Sequence, residues 1–178
     1  MPRKLLTQFR LNPEAQCPDY YVIRIAPTRA AMYAEYQRVK GIDNPVADQC
    51  DFLAITCPIE WDRIRIDTHG RETHLPKCGT ILFHRQAIDA EIVSHEMTHA
   101  AIDFLERDTS VDWSRLKDDM DLEERLCGVQ GRLTAEFWGK WQAWQRRQTR
   151  KAEACSLARG LSPCYDEGDL CDGGASDA

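Results

Sequence analysis

The 178-residue sequence contains no run of about eighteen apolar residues, and its first residues lack the apolar core of a signal peptide. We therefore expect no membrane-spanning helix and a cytoplasmic location. Basic residues are also in the minority, with 23 Lys and Arg against 29 Asp and Glu and a formal net charge of −6. This balance argues against a general nucleic-acid-binding or anionic-membrane surface, so neither nucleic acid nor membrane is an expected partner.

The eight cysteines include no pair at the two-residue spacing of a zinc knuckle. Because the chain also shows no export signal, most of the cysteines are expected to be free thiols. A second metal cluster formed by His69, His74 and Cys78 would have suitable residue types, but it lacks the tight spacing of such sites. The preferred interpretation of that segment is a polar loop.

One segment with helical periodicity carries chemically useful side chains at a specific spacing. His95, Glu96 and His99 form the pattern His-Glu-x-x-His. On a helix, residues four apart lie one above the other, so both imidazoles can reach one metal ion while Glu96 lies beside it. This spacing predicts the metal helix of a zinc hydrolase, and the alternative is a helix in which the two histidines form a purely structural pair.

The surrounding residues support a helix with a buried side. Asp89 is the expected N-cap, and apolar residues then recur at helical spacing on one side, namely Val93, Met97, Ala100, Ala101 and Phe104. His95, Glu96 and His99 lie on the flank beside that apolar side. The helix is thus expected to bury one side while offering the other to a ligand.

The rest of the chain predicts an α+β fold, with a short mixed or antiparallel sheet packed on the metal helix and on a second long helix. The expected helices are at residues 28–40 and 121–147, and the expected strands are at residues 20–26, 52–57, 61–67 and 80–84. We expect 52–57 to pair with 61–67. The strand at 80–84 is expected to form the edge of the cleft, where an extended peptide can add to the sheet.

Composition divides the chain into three expected regions. Residues 1–19 show no period and are interrupted by proline, which predicts a loose N-terminal arm. Residues 20–150 form the expected catalytic domain. Residues 151–178 form a Cys-containing acidic tail that we expect to be disordered.

Two histidines leave a catalytic zinc short of one protein ligand, and no histidine follows His99. A carboxylate is therefore expected, and the candidates at the start of the long helix are Asp121, Glu123 and Glu124. The His-Glu-x-x-His motif, followed by Glu124 with small residues three and seven positions later, resembles the gluzincin layout. The order of elements over roughly residues 50–140 is similar to that of small gluzincins, including the family named after the ImmA and IrrE proteins and related phage-type metallopeptidases.

The resemblance implies a zincin-like domain and a zinc-dependent endopeptidase acting on a peptide or protein substrate. Zn²⁺ would be held by His95, His99 and Glu124, and Glu96 would act as the general base that takes a proton from the attacking water. The sequence has Cys127 and Gly128 where the second gluzincin motif has a small residue and then Asp or Asn, so Asp103 is a candidate for orienting a ligand imidazole. Oxyanion stabilisation could come from His69, His74, His84 or Tyr165. The alternative function is a metal-binding regulatory or interaction protein with little or no protease activity.

Two patterns on the long helix disagree about the third ligand. The charged positions that mark its solvent side place Glu123 near the middle of the buried side; they are Asp121, Arg125, Arg132 and Glu136. A stripe of small residues suited to close helix approach instead contains Glu124; its members are Cys127, Gly131 and Ala135. We assign Glu124, because the spacing of small residues in the gluzincin layout fits it and does not fit Glu123.

Overall fold

The computed structural model describes residues 5–41, 52–59, 64–66, 72–74, 76–107, 111–116 and 119–160. The strands are β1 (Thr7–Leu11), β2 (Tyr20–Ala26), β3 (Ala54–Pro58), β4 (Ile64–Ile66), β5 (Glu72–His74) and β6 (Lys77–His84). The α-helices are α1 (Arg29–Lys40), α2 (Ala90–Glu106) and α3 (Met120–Gly160), and short 3₁₀ helices cover Arg85–Ala87 and Trp113–Arg115. The expected α+β class is confirmed.

The main sheet is mixed and has the strand order β1-β2-β6-β3. β2 and β6 are parallel, whereas the β1–β2 and β3–β6 pairs are antiparallel. For the described residues of these segments, the expected pairing of residues 52–57 with 61–67 is wrong, because β3 pairs with β6 in one sheet and β4 pairs with β5 in another. Strand length and alternation were similar in all these segments, so they carried no information about which two would be neighbours.

The strand predicted to form the cleft edge instead lies inside the sheet. β6 is flanked by β2 on one side and by β3 on the other, and every residue from Cys78 to His84 is buried. A strand covered on both faces shows a continuous apolar run, and this run was too short to be distinguished from an edge strand. β3 occupies the edge position next to α2.

The first strand was not expected from the sequence. Thr7–Leu11 pairs with β2 along its whole length, with Leu11 fully buried, so the expectation of a loose arm is wrong for these residues. The alternating pattern of this segment contains only two apolar residues, Phe9 and Leu11, which is too short a pattern to predict a strand. Phe9 packs against Phe137 of α3, with ring centroids 5.8 Å apart.

Helix α1 follows the prediction closely. The Thr28 hydroxyl caps its first turn by accepting a hydrogen bond from the Ala31 N–H at 3.2 Å, and the helix ends at Gly41, whose φ of 67° is in the left-handed region. α1 covers one face of the sheet, where Met32 packs into a cluster with Leu82. The opposite face is covered by α2 and α3.

Helix α3 is longer than expected. The side that it buries is not the side that carries Glu124. Its buried residues are Leu122, Val129, Leu133, Phe137 and Trp141. The stripe formed by Cys127, Gly131 and Ala135 is exposed, and a Cβ added at Gly131 would meet nothing within 4 Å. The expectation that this stripe lies against another helix is therefore wrong.

Contacts divide the chain into two units, Met1–Gln142 and Ala143–Ala178. The first unit contains both sheets, α1, α2 and the part of α3 up to Gln142. In the second unit, the described residues extend α3 to Gly160, so the expectation of a disordered tail is wrong for residues 151–160. Residues 161–178 lie outside the described part.

Two further expectations concern membranes and cysteines. Within the described ranges, no helix combines the length and the apolarity required to cross a membrane. The described cysteines are free, as expected; they are Cys17, Cys57, Cys78, Cys127 and Cys155. His69 and the side chain of His74, which belong to the second metal cluster considered above, lie outside the described residues.

Candidate metal centre

Helix α2 forms as its local sequence predicts. The Asp89 carboxylate accepts a hydrogen bond from the Ile92 N–H at 2.8 Å, which satisfies one of the free amides of the first turn. The predicted apolar side is buried from Val93 to Phe104. His95 and His99 are exposed on the flank, so both imidazoles are accessible to a ligand.

The two imidazoles face one another with their Nε2 atoms. These atoms are 3.1 Å apart, and the ring planes meet at 81°. Two nitrogens bound to one zinc ion at tetrahedral geometry would lie about 3.3 Å apart, given bonds of about 2.0–2.1 Å. The pair therefore fits two positions of a zinc site, although a hydrogen bond between the two rings also accounts for the distance.

Glu96 is held between α2 and β3. Its side chain is buried, with 6% exposure, and its Oε2 accepts a hydrogen bond from the Thr56 hydroxyl at 2.6 Å. The His-Glu-x-x-His motif predicted Glu96, but no motif pointed to Thr56. Thr56 is two residues after the apolar Ala54, and residues two apart in a strand lie on the same face. This spacing was the local indication that the Thr56 side chain faces the same way as Ala54.

A cleft of about 370 Å³ lies along α2 and β3. Its α2 wall includes His95, Glu96, His99 and Glu106, and its β3 wall includes Thr56 and Pro58. A strand lies beside the metal helix at the cleft, as predicted, but it is β3 and not the predicted strand at residues 80–84.

Asp103 lines the same cleft but is engaged elsewhere. Its carboxylate lies 2.5 Å from the Tyr21 hydroxyl and 3.2 Å from the Arg107 guanidinium, which also donates to the Cys78 carbonyl oxygen. Burial, with the charge of Asp103 second, raises the pKa of Tyr21. Both bonds are made by Oδ2, so Asp103 ties α2 to β2 through that oxygen.

Glu123 and Glu124 are exposed in the first turns of α3, and neither lines the cleft. Across the described part of the chain, no group of three or more His, Cys, Asp or Glu is placed to hold a metal ion. α3 approaches the site through Gln130, whose Nε2 donates to the Ser94 hydroxyl oxygen at 2.9 Å. Because seven residues make almost two helical turns, Glu123 lies on the same side of α3 as Gln130, whereas Glu124, six residues before Gln130, is about 120° away from it. This contact favours Glu123.

His84, a candidate for oxyanion stabilisation, does not line the cleft. It follows Phe83, which packs on Phe137 of α3, so its side chain is directed to the α1 face of the sheet. His84 is 7% exposed, and both of its ring nitrogens are buried without a hydrogen-bond partner among the described residues. Burial and then the charge of Arg29 lower the pKa of His84. His69, Tyr165 and the side chain of His74 lie outside the described residues.

Comparisons of the chain with models of protein families, with curated proteins and with solved structures found no match. The gluzincin resemblance therefore depends on the sequence motifs alone. In the structure, the two facing imidazoles and the buried Glu96 are the features that support a metal site.

Proposed function

We propose that the protein is a zinc-dependent endopeptidase. The observation that carries this proposal is the Nε2 separation of 3.1 Å between His95 and His99, beside the buried Glu96 and at the side of an open cleft. A purely structural pair of histidines would not require a carboxylate held next to it. A hydrolytic site, in contrast, requires a positioned base, and a carboxylate can fill that role.

The residues of α2 would divide the chemistry between them. His95 and His99 would be ligands, and a bound zinc ion would supply Lewis-acid activation of a water molecule. Glu96 would take the proton of the attacking water and transfer it to the leaving nitrogen. The third ligand would be a carboxylate from the first turns of α3, for which sequence spacing favours Glu124 and the Gln130–Ser94 contact favours Glu123.

The substrate would be an extended segment of a peptide or protein. β3 pairs with β6 on one side, and no other described strand pairs with its outer side. An extended peptide can add to such an edge through main-chain hydrogen bonds, which would lay its backbone along the cleft. We also propose a cytoplasmic location, which the free state of the described cysteines supports.

The alternative is a metal-binding regulatory or interaction protein with little or no protease activity. The observation behind it is that the described residues bring no third His, Cys, Asp or Glu to the two histidines, whereas a catalytic zinc has three protein ligands. Both proposals require metal binding, and Glu96 is a base in the first proposal and not in the second.

Metal content of the purified protein, followed by cleavage of an unbiased peptide library with and without chelator, tests the proposal. We expect about one zinc per chain, lost on replacing both histidines by Ala, and cleavage that the chelator abolishes. Glu96→Gln should retain the metal while cleavage falls by several orders of magnitude. Glu91→Gln, at an exposed position in the first turn of α2, is the matched control and should cleave at the parental rate. Full activity of Glu96→Gln would show that Glu96 is not the base, and zinc binding without cleavage would favour the regulatory alternative.

A further inference from the structure

We propose that Thr56 is a positioning residue for Glu96. Its hydroxyl would hold one carboxylate oxygen, so that the other stays directed at the cleft. This inference rests on the proposed function, in which Glu96 is the base.

The strand register directs Thr56 towards α2. Thr56 lies opposite Ile81 of β6, whereas its neighbour Cys57 belongs to the core cluster with Met32 of α1. Because side chains alternate between the faces of a strand, Thr56 and Cys57 are on opposite faces. Thr56 therefore reaches Glu96 from a strand that is held in place by its pairing with β6.

The hydroxyl has two acceptors within reach and one proton to donate. Its oxygen is 2.6 Å from Glu96 Oε2 and 3.2 Å from the Glu96 carbonyl oxygen. The shorter distance makes the carboxylate the main partner of the hydroxyl. Since Glu96 is 6% exposed, solvent is poorly placed to replace this bond if the hydroxyl is removed.

The two carboxylate oxygens can then have separate tasks. Oε2 is held by Thr56, and Oε1 has no hydrogen-bond partner among the described residues. A general base must stay within about 2.6–3.2 Å of the proton that it removes, and a misplacement of about 1 Å can lower a rate by about 100-fold. Loss of the Thr56 hydroxyl would allow Glu96 to rotate while leaving the imidazoles of His95 and His99 unchanged.

Kinetics of Thr56→Val and Thr56→Ser provide the first test. Val keeps the branched shape and removes the hydroxyl, so kcat should fall by about 10- to 100-fold, with KM and zinc content within about twofold of the parent. Ser keeps the hydroxyl and should restore kcat to within a few-fold. Thr134→Val is the control, because among the described residues the Thr134 hydroxyl bonds within α3 alone, to the Gln130 carbonyl oxygen. A parental kcat in Thr56→Val, or no rescue by Ser, would overturn the inference; Thr56→Ala replaces Val if the Val variant does not fold.

A double-mutant cycle in the metal-free protein provides a test that does not depend on activity. Thr56→Val and Glu96→Met, separately and together, should show a coupling of about 10-fold in the unfolding equilibrium constant. No coupling would mean that the hydroxyl serves the backbone carbonyl and would overturn the inference. If the parent cleaves no peptide, the proposed function fails, and Thr56 has no base to position. Cleavage by the parent without coupling would refute the inference on Thr56 alone.

Discussion

The choice between Glu123 and Glu124 as third ligand can be decided by one pair of substitutions, Glu123→Gln and Glu124→Gln. The directions of the two helices give the physical reason. α2 begins beyond the end of β6, and Arg107, just after α2, bonds to the carbonyl oxygen of Cys78 near the beginning of β6. α2 therefore runs antiparallel to β6.

Helix α3 runs in the opposite direction. Arg132 bonds to the Asn12 carbonyl oxygen just after β1, and Lys140 bonds to that of Arg10 inside β1, so α3 is antiparallel to β1. Since β1 is antiparallel to β2, and β2 is parallel to β6, α3 runs with β6 and against α2. The direction from Gln130 to Glu123 along α3 is therefore the same as the direction from Ser94 to His99 along α2.

The distances along the two helices also allow Glu123 to reach the metal site. At about 1.5 Å per residue, seven residues from Gln130 to Glu123 cover about 10.5 Å, and five residues from Ser94 to His99 cover about 7.5 Å. The difference of about 3 Å is within the reach of a glutamate side chain. If a binding free energy of about 12 kcal/mol is shared equally by three ligands, loss of one costs about 4 kcal/mol, or about 10³-fold in affinity.

Competition with a fluorescent zinc chelator measures this affinity. We expect Glu123→Gln to bind zinc about 10³-fold more weakly, and Glu124→Gln to stay within a few-fold of the parent. A large loss in Glu124→Gln alone would refute the argument from helix direction and support the family-like spacing. Parental affinity in both variants would exclude both residues as ligands.

Three further predictions concern the fold. Phe137→Ala should lower the free energy of unfolding by about 3–5 kcal/mol, because Phe137 is fully buried against Phe83; urea unfolding measures this, and a loss below about 1 kcal/mol would contradict the packing. Gly79→Ala should lower the melting temperature, because the new Cβ would lie 2.8 Å from the Cys57 carbonyl oxygen, whereas Gly131→Ala, with nothing within 4 Å, should not. Burial and then the charge of Arg29 lower the pKa of His84, so the unfolded chain binds more protons below its ordinary pKa of about 6.5 and stability should fall from pH 7 towards pH 5.5. His84→Leu should reduce that slope, and an unchanged slope would refute the assignment.

The sequence predicted the elements whose signals are local. α1 has its hydroxyl cap at Thr28 and its stop at Gly41, and α2 has its cap at Asp89 and a regular apolar period. Each of these signals acts over a few residues and needs no knowledge of the rest of the fold. The same applies to His95 and His99, whose proximity follows from the helix alone.

Features that depend on distant residues were not predictable in this way. β6 lies inside the sheet only because β2, more than fifty residues earlier, pairs with it. The bond from Thr56 to Glu96 joins residues 40 positions apart and exists because β3 is the neighbour of β6. The small residues of α3 suggested close packing, but their exposure depends on which side of the helix Phe137 and Leu133 bury.

The position of β3 also has a consequence for how the protein behaves in concentrated solution. Phe52 and Leu53, just before this strand, are 41% and 49% exposed. A strand edge next to exposed apolar side chains is a template for another copy of the chain as well as for a peptide. Self-association would therefore compete with substrate for the same backbone groups, and a peptide that occupies β3 should delay aggregation.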